Sequence, residues 1–210
     1  MKIYILAATM LEIEPLIGSP LIQECKLIIT GVGSVPTSYH LAKVISEDRP
    51  HLVIQAGVAG AFDGALDLGT VVIVNQDRIA DLGVEENNQW KDLVDLGLAN
   101  GNDDPYTNGW LTNDNLQLNE FGLPLVKGIT INEITTEAER IRMLKEKYDP
   151  AIESMEGAAL HFVCLMEGIP FIQLRSVSNY VGERDKSKWE LKLAIKNLNE
   201  SLANLIQRLV

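Results

Sequence analysis

Basic residues are scarce in this chain. Eighteen Lys and Arg stand against 29 Asp and Glu, for a net charge of −11. A nucleic-acid surface or a polybasic membrane patch needs clustered Lys and Arg, so both are excluded as partners, and the acidic balance reads as plain solubility. Cysteine is almost missing. Cys25 and Cys164 each lie in an apolar stretch with no metal-like spacing, as expected for buried free thiols of a cytoplasmic protein. The three histidines, His40, His51 and His161, have no metal-binding partners in the sequence and are expected to be structural.

Several signatures are absent as well. No Gly-Lys-Ser/Thr follows a glycine turn, which rules out a P-loop, and no Gly-x-Ser-x-Gly elbow offers a serine nucleophile. Gly31-Val32-Gly33-Ser34-Val35-Pro36 lacks the third glycine of a dinucleotide fingerprint, and the next strand ends at Gln55-Ala56 without an acidic residue. No metal and no cofactor is therefore expected. No apolar run approaches the roughly 18 residues of a membrane span. Lys2–Ala8 is too short for a signal peptide and reads as a first strand.

What remains is ordinary globular material: 210 residues, 46% hydrophobic, enough for one large domain over 1–210. Apolar strands are expected at 2–8, 21–30, 52–56, 70–74, 125–131 and 171–177, with helices at 35–45, 136–147, 156–166 and from about 187 onward. This alternation predicts an α/β fold, a central mixed sheet flanked by helices. Thr136 to Glu139 and Ser187 to Glu190 have the spacing of capping boxes. The last helix has one apolar face: Leu191, Ala194, Ile195, Leu198, Leu202, Leu205 and Leu209. Residues 81–124 are rich in Asn, Asp and Gly with scattered aromatics, and read either as a functional lid or as a surface insertion.

Chemistry concentrates where strands meet helices, because ligands in α/β proteins collect at the carboxyl ends of strands. Gly31-Val32-Gly33 and Gly57-Val58-Ala59-Gly60 read as glycine turns that let a backbone approach a ligand. Glu12 follows the first strand beside Met10, and Glu156 precedes a helix beside Met155. Paired carboxylates without a metal suit cleavage through an oxocarbenium-like transition state, one generating the nucleophile and one binding sugar hydroxyls. The strand at 171–177 delivers Ser178 and Asn179 to the same edge.

Glu12 after the first strand, Gly57-Val58-Ala59-Gly60, Ser154-Met155-Glu156-Gly157-Ala158-Ala159 and Arg175-Ser176-Val177-Ser178-Asn179 occur in the order of the nucleoside phosphorylase and nucleosidase family. The chain resembles that family over nearly its whole length. The resemblance implies a small-molecule nucleoside substrate and a homodimer or higher homo-oligomer. It also implies that Glu12 activates water, Glu156 binds the ribose hydroxyls, Met155 packs on the sugar and Asn179 holds the purine. Two residue-level arguments refine it. A phosphorylase needs cations near its glycine turns, but the first 48 residues contain no Arg and only Lys2, Lys26 and Lys43, so hydrolysis is expected. Related methylthioadenosine nucleosidases carry Asp where this chain has Asn179. An Asn donates to the two acceptors of a 6-oxopurine, N7 and O6, where an Asp would protonate N7 and accept from a 6-amino group. The 5′ side of the substrate is expected against residues 81–124, with Lys91, Arg184, Lys186 and Lys188 as candidate cations for a carboxylated group.

Overall fold

The computed structural model describes residues 1–209. In chain order the strands and helices are β1 (Ile3–Ala7), α1 (Met10–Ile13), α2 (Pro20–Gln23), β2 (Cys25–Ile29), α3 (Ser34–Glu47), β3 (Leu52–Ala61), β4 (Val71–Asp77), β5 (Gly83–Glu86), β6 (Gln89–Asp92), β7 (Tyr106–Thr107), β8 (Trp110–Thr112), β9 (Leu125–Thr130), α4 (Ala138–Tyr148), β10 (Ile152–Ser154), α5 (Gly157–Glu167), β11 (Phe171–Tyr180) and α6 (Leu191–Leu209). The sheet is mixed and the architecture is the α/β one expected.

β3 organises the sheet. Its first half pairs in parallel with β1, its last two residues pair antiparallel with β10, and β11 runs parallel along its other side. From β10 the pairing continues through β9 and β4 to β11, so five strands close on themselves while β1 and β2 extend the sheet outward. Between the end of β1 and the start of β10, residues 56–59 of β3 have no strand on one side. A break of this kind leaves backbone amides for other partners, and side chains from several elements can reach it.

Both faces of the sheet are covered. α6 packs Leu198, Leu202, Leu205 and Ile206 against Ile5, Ile54, Ile172 and Leu174. On the other face α3 and α5 pack Leu41, Ile45, Leu160 and Val163 against Tyr4, Leu6, Val53 and Phe171. This double burial explains why β1 and the start of β3, Leu52–Ile54, are continuous apolar runs.

Several local expectations fail for identifiable reasons. Gly57-Val58-Ala59-Gly60 is not a turn: it continues β3, because β11 pairs along it as far as Ala61. The β region expected at 21–30 begins with a helical turn, α2, with Pro20 at its start and the Ser19 hydroxyl accepting from the Leu21 amide at 3.4 Å. Neither expected capping box forms. Glu139 pairs with Arg142, and Ser187 turns back to Asp185, which accepts from its amide at 3.0 Å and its hydroxyl at 2.7 Å. A capping box does form between Thr9 and Glu12, where none was expected. His161 is structural as expected: it is buried, its Nδ1 lies 3.0 Å from the Leu111 carbonyl, and burial lowers its pKa to about 4. Cys25 and Cys164 are free, although Cys25 is only half-buried.

Candidate active site

The carboxylate of Glu12 occupies the gap beside β3. Its Oε1 accepts from the Val58 amide at 3.1 Å, which is the strand donor left unpaired between β1 and β10. Its Oε2 accepts from the Thr9 amide at 2.9 Å and the Thr9 hydroxyl at 3.0 Å. The backbone behind it is fixed by α6, where the buried Asn199 donates to the Glu12 carbonyl at 2.8 Å. The carboxylate therefore has one orientation and keeps lone pairs for a water molecule.

Glu156 caps α5 and reaches across to the turn before α3. Its Oε1 accepts from the Gly33 amide at 3.0 Å. Gly33 has φ +101°, a region that L side chains rarely adopt, which is why glycine is needed at this corner. The Glu156 Oε2 pairs with Arg175 Nη1 at 3.3 Å. Arg175 is 1% exposed and donates through Nη2 to Gln55 Oε1 at 2.8 Å. Burying a carboxylate is costly unless it is paired and hydrogen-bonded, and Glu156 has both a guanidinium and a backbone donor against it. Gly57 makes the arrangement fit: a Cβ there would lie 2.3 Å from Arg175 Nη1 and 3.0 Å from Glu12 Oε1.

Asn179 stands at a bulge in β11, where the register shifts between Val177 and Asn179. Bulges re-aim side chains next to active sites, and this one presents Asn179 beside Gly60. The Ser178 hydroxyl donates to Asn179 Oδ1 at 2.8 Å, and Asn179 Nδ2 donates to the Tyr180 carbonyl at 3.0 Å. The reversed amide would set its oxygen against that carbonyl, so the amide orientation is determined. One N–H is spent on Tyr180 and one remains, fewer than the two donors expected for the purine. The buried Ser178 serves here to orient Asn179.

These residues share one cavity of about 320 Å³, lined by Glu12, Val58, Ala59, Gly60, Met155, Glu156, Ser178 and Asn179, with Arg184, Trp189 and Leu191 on the wall beside α6. Every predicted site residue is thus brought to one place, Gly57 lying just beneath. Among the described residues, none of 81–124 lines this cavity. That segment instead carries the β5–β6 hairpin and the β7–β8 arm and borders a separate cavity with Arg78 and Asp92, which pair with each other at 2.7 Å. Of the four candidate cations only Arg184 lines the site, its guanidinium 5.5 Å from the Trp189 ring centre. Lys91 pairs with Glu86 at 3.0 Å and Lys188 with Glu183 at 2.6 Å.

Sequence reasoning missed the roles of Thr9, Gln55, Glu153 and Asn199, and it named Arg175 only as part of a motif. The available signal was a long polar side chain inside an apolar strand, as with Gln55 and Arg175, or on an apolar helix face, as with Asn199.

Residues 22–210 match the profile described as the phosphorylase superfamily. The chain is similar to the futalosine hydrolase of Thermus thermophilus, 32% identical over 188 residues that span 84% of this chain and 79% of that one. Its fold is similar to that of the 5′-methylthioadenosine/S-adenosylhomocysteine nucleosidase of Neisseria meningitidis in complex with methylthio-immucillin-A, with a TM-score of 0.80 at 20% identity over 99% of each chain. It is also similar in fold to the futalosine hydrolase of Helicobacter pylori, with a TM-score of 0.78 at 17% identity over 99% of this chain and 98% of that one. The sequence match runs from α2 to the end of the chain, and the protein accordingly belongs to the phosphorylase superfamily, within which it is an N-glycosyl hydrolase.

Proposed function

We propose that the substrate is futalosine, cleaved by water at C1′ to hypoxanthine and dehypoxanthine futalosine, a step of menaquinone synthesis. Glu12 takes the proton of the attacking water. Glu156 binds the ribose 2′- and 3′-hydroxyls with the lone pairs that Gly33 and Arg175 leave free, while Met155 packs on the sugar. The fixed amide of Asn179 carries the choice of base. It presents an N–H to the purine and cannot deliver a proton, which suits an acceptor edge such as N7 and O6.

Two further observations support this reading. The Gly33 amide, a natural anion donor at the start of α3, is already taken by the Glu156 carboxylate, which repels a phosphate dianion and favours water as nucleophile. Arg184 is placed on the cavity wall to meet a carboxylated 5′ group.

The test is incubation with futalosine, inosine, aminodeoxyfutalosine and methylthioadenosine, with and without phosphate, following release of free base. Hypoxanthine release from futalosine, independent of phosphate and fastest in the set, is expected. Faster adenine release from the amino substrates would assign the chain to the methylthioadenosine nucleosidases, and a phosphate-dependent rate would make it a phosphorylase.

A further inference from the structure

One buried carboxyl group in the cavity has no part in the chemistry above. Glu153, on β10, is 7% exposed and lines the cavity together with Asn179. Strand register brings the two together: Glu153 and Asn179 both face Gly60, from β10 on one side of β3 and β11 on the other. Residues in register across a sheet point to the same face, and Gly60 puts no side chain between them. A Cβ on Gly60 would lie 3.4 Å from Asn179 Nδ2 and 3.7 Å from Glu153 Cγ.

The Glu153 Oε2 is buried without a hydrogen-bond partner. Burial pushes this carboxyl up to about 7, and the Asp81 charge adds to the rise, while Thr135 and Arg140 oppose it. Glu12, Glu156 and Arg184 are the other charged groups on the cavity wall. No cation pairs with Glu153 among the described residues.

A 6-oxopurine edge has two acceptors, N7 and O6, and Asn179 has one N–H left for them. The site is one donor short. The departing base also takes up a proton, which an amide cannot supply.

We propose that Glu153 is the second donor of the purine subsite and the general acid of the hydrolysis, giving its proton to the N7/O6 edge beside Asn179 as the base departs. This rests on the reading of the substrate as a 6-oxopurine nucleoside. In the step, the C1′–N9 bond breaks and its electron pair passes to the purine, which receives the proton of the Glu153 carboxyl. The water oxygen bonds to C1′ and its proton moves to Glu12. Proton exchange with solvent after product release restores both carboxyls.

The experiment is steady-state kinetics of the wild type and Glu153→Gln with futalosine from about pH 5 to 9, following hypoxanthine. In the wild type kcat falls as pH rises above about 7, where the acid form is lost. Glu153→Gln lowers kcat by about 10²-fold or more and removes that limb, with KM changed less than about threefold because the Gln amide still donates. Glu153→Asp, which keeps an acid, recovers part of the rate. As a check independent of any variant, the ¹³C signal of the Glu153 carboxyl in the wild type titrates near 7. A kcat for Glu153→Gln within about threefold of wild type, a retained alkaline limb, or a carboxyl midpoint below about 5 overturns the proposal. Wild-type enzyme that releases no hypoxanthine at all overturns the substrate reading beneath it, whereas hypoxanthine release indifferent to residue 153 overturns only the role of Glu153.

Discussion

A single methyl group at Gly57 tests how tightly the two carboxylates and Arg175 are locked together. In Gly57→Ala the new Cβ would lie 2.3 Å from Arg175 Nη1, 3.3 Å from its Cζ and 3.0 Å from Glu12 Oε1. Non-bonded heavy atoms rest at about 3.5 Å, so the guanidinium must withdraw by about 1 Å. It has no free space to enter, being 1% exposed and held by Gln55 at 2.8 Å and Glu156 at 3.3 Å. Gly57 lies in β3, in backbone that alanine also adopts, so the penalty is one of contact and not of conformation. Overpacking costs about 1–3 kcal/mol, and a disturbed buried ion pair adds to it, for an expected loss of about 3–5 kcal/mol. In urea unfolding that lowers the midpoint by about 2 M. The rate should fall by at least about 10²-fold, because Glu12 and Glu156 are displaced together. Removing the guanidinium should relieve the clash, so on an Arg175→Met background the same glycine change should cost less than about 1 kcal/mol. A Gly57→Ala protein with an unchanged midpoint, or strictly additive losses in the double variant, would refute the packing argument.

Four other outcomes follow from the same geometry. Glu12→Gln should lose about 10²–10⁴-fold in kcat with little change in KM, read by hypoxanthine release, since it removes the base and keeps the shape. Asn179→Asp should raise the ratio of kcat/KM for 6-amino over 6-oxo nucleosides, because a carboxyl can protonate N7 and accept from the amino group; an unchanged ratio counts against Asn179 as the purine reader. Arg184→Gln should raise KM for futalosine and leave inosine cleavage unaffected; equal effects on both would remove Arg184 from the 5′ subsite. The Glu153 carboxyl sits at about 7 in the folded chain against an ordinary 4.5, so the folded state holds a proton that the unfolded chain releases in that window. Stability must then fall as pH rises from about 4.5 to 7, by up to about 3 kcal/mol for this group. Glu153→Gln should not share that part of the decline in a series of urea titrations, and parallel pH curves for the two proteins would contradict it.

The α/β class and the covered sheet were legible in the sequence because they follow from local apolar patterns: continuous runs such as Ile3–Ala7 and the one-sided face of α6 each signal their own burial. Glu12, Glu156 and Asn179 were legible for a related reason, since each stands at the end of a strand or the start of a helix, where an α/β sheet collects ligands. Partner-dependent features were not legible. Gly57 to Gly60 has the composition of a turn, and it is held extended by β11, more than a hundred residues away, with β10 also pairing at Gly60. The expected capping residues took the partners nearest in space: Ser187 donates to Asp185, and Glu139 accepts from Arg142.

The sequence alone therefore determined the fold class and the residue types that can break a glycosidic bond. Tertiary structure decided their surroundings: that Arg175 pairs with Glu156, that Glu12 fills the gap beside Val58, that Asn179 has a single N–H to offer, and that Glu153, across Gly60 from Asn179, has an Oε2 without a partner. The physical reason is range. Periodicity and propensity act within a few residues, whereas charge state, hydrogen-bond assignment and contact depend on strands that meet through register and on the burial they create together.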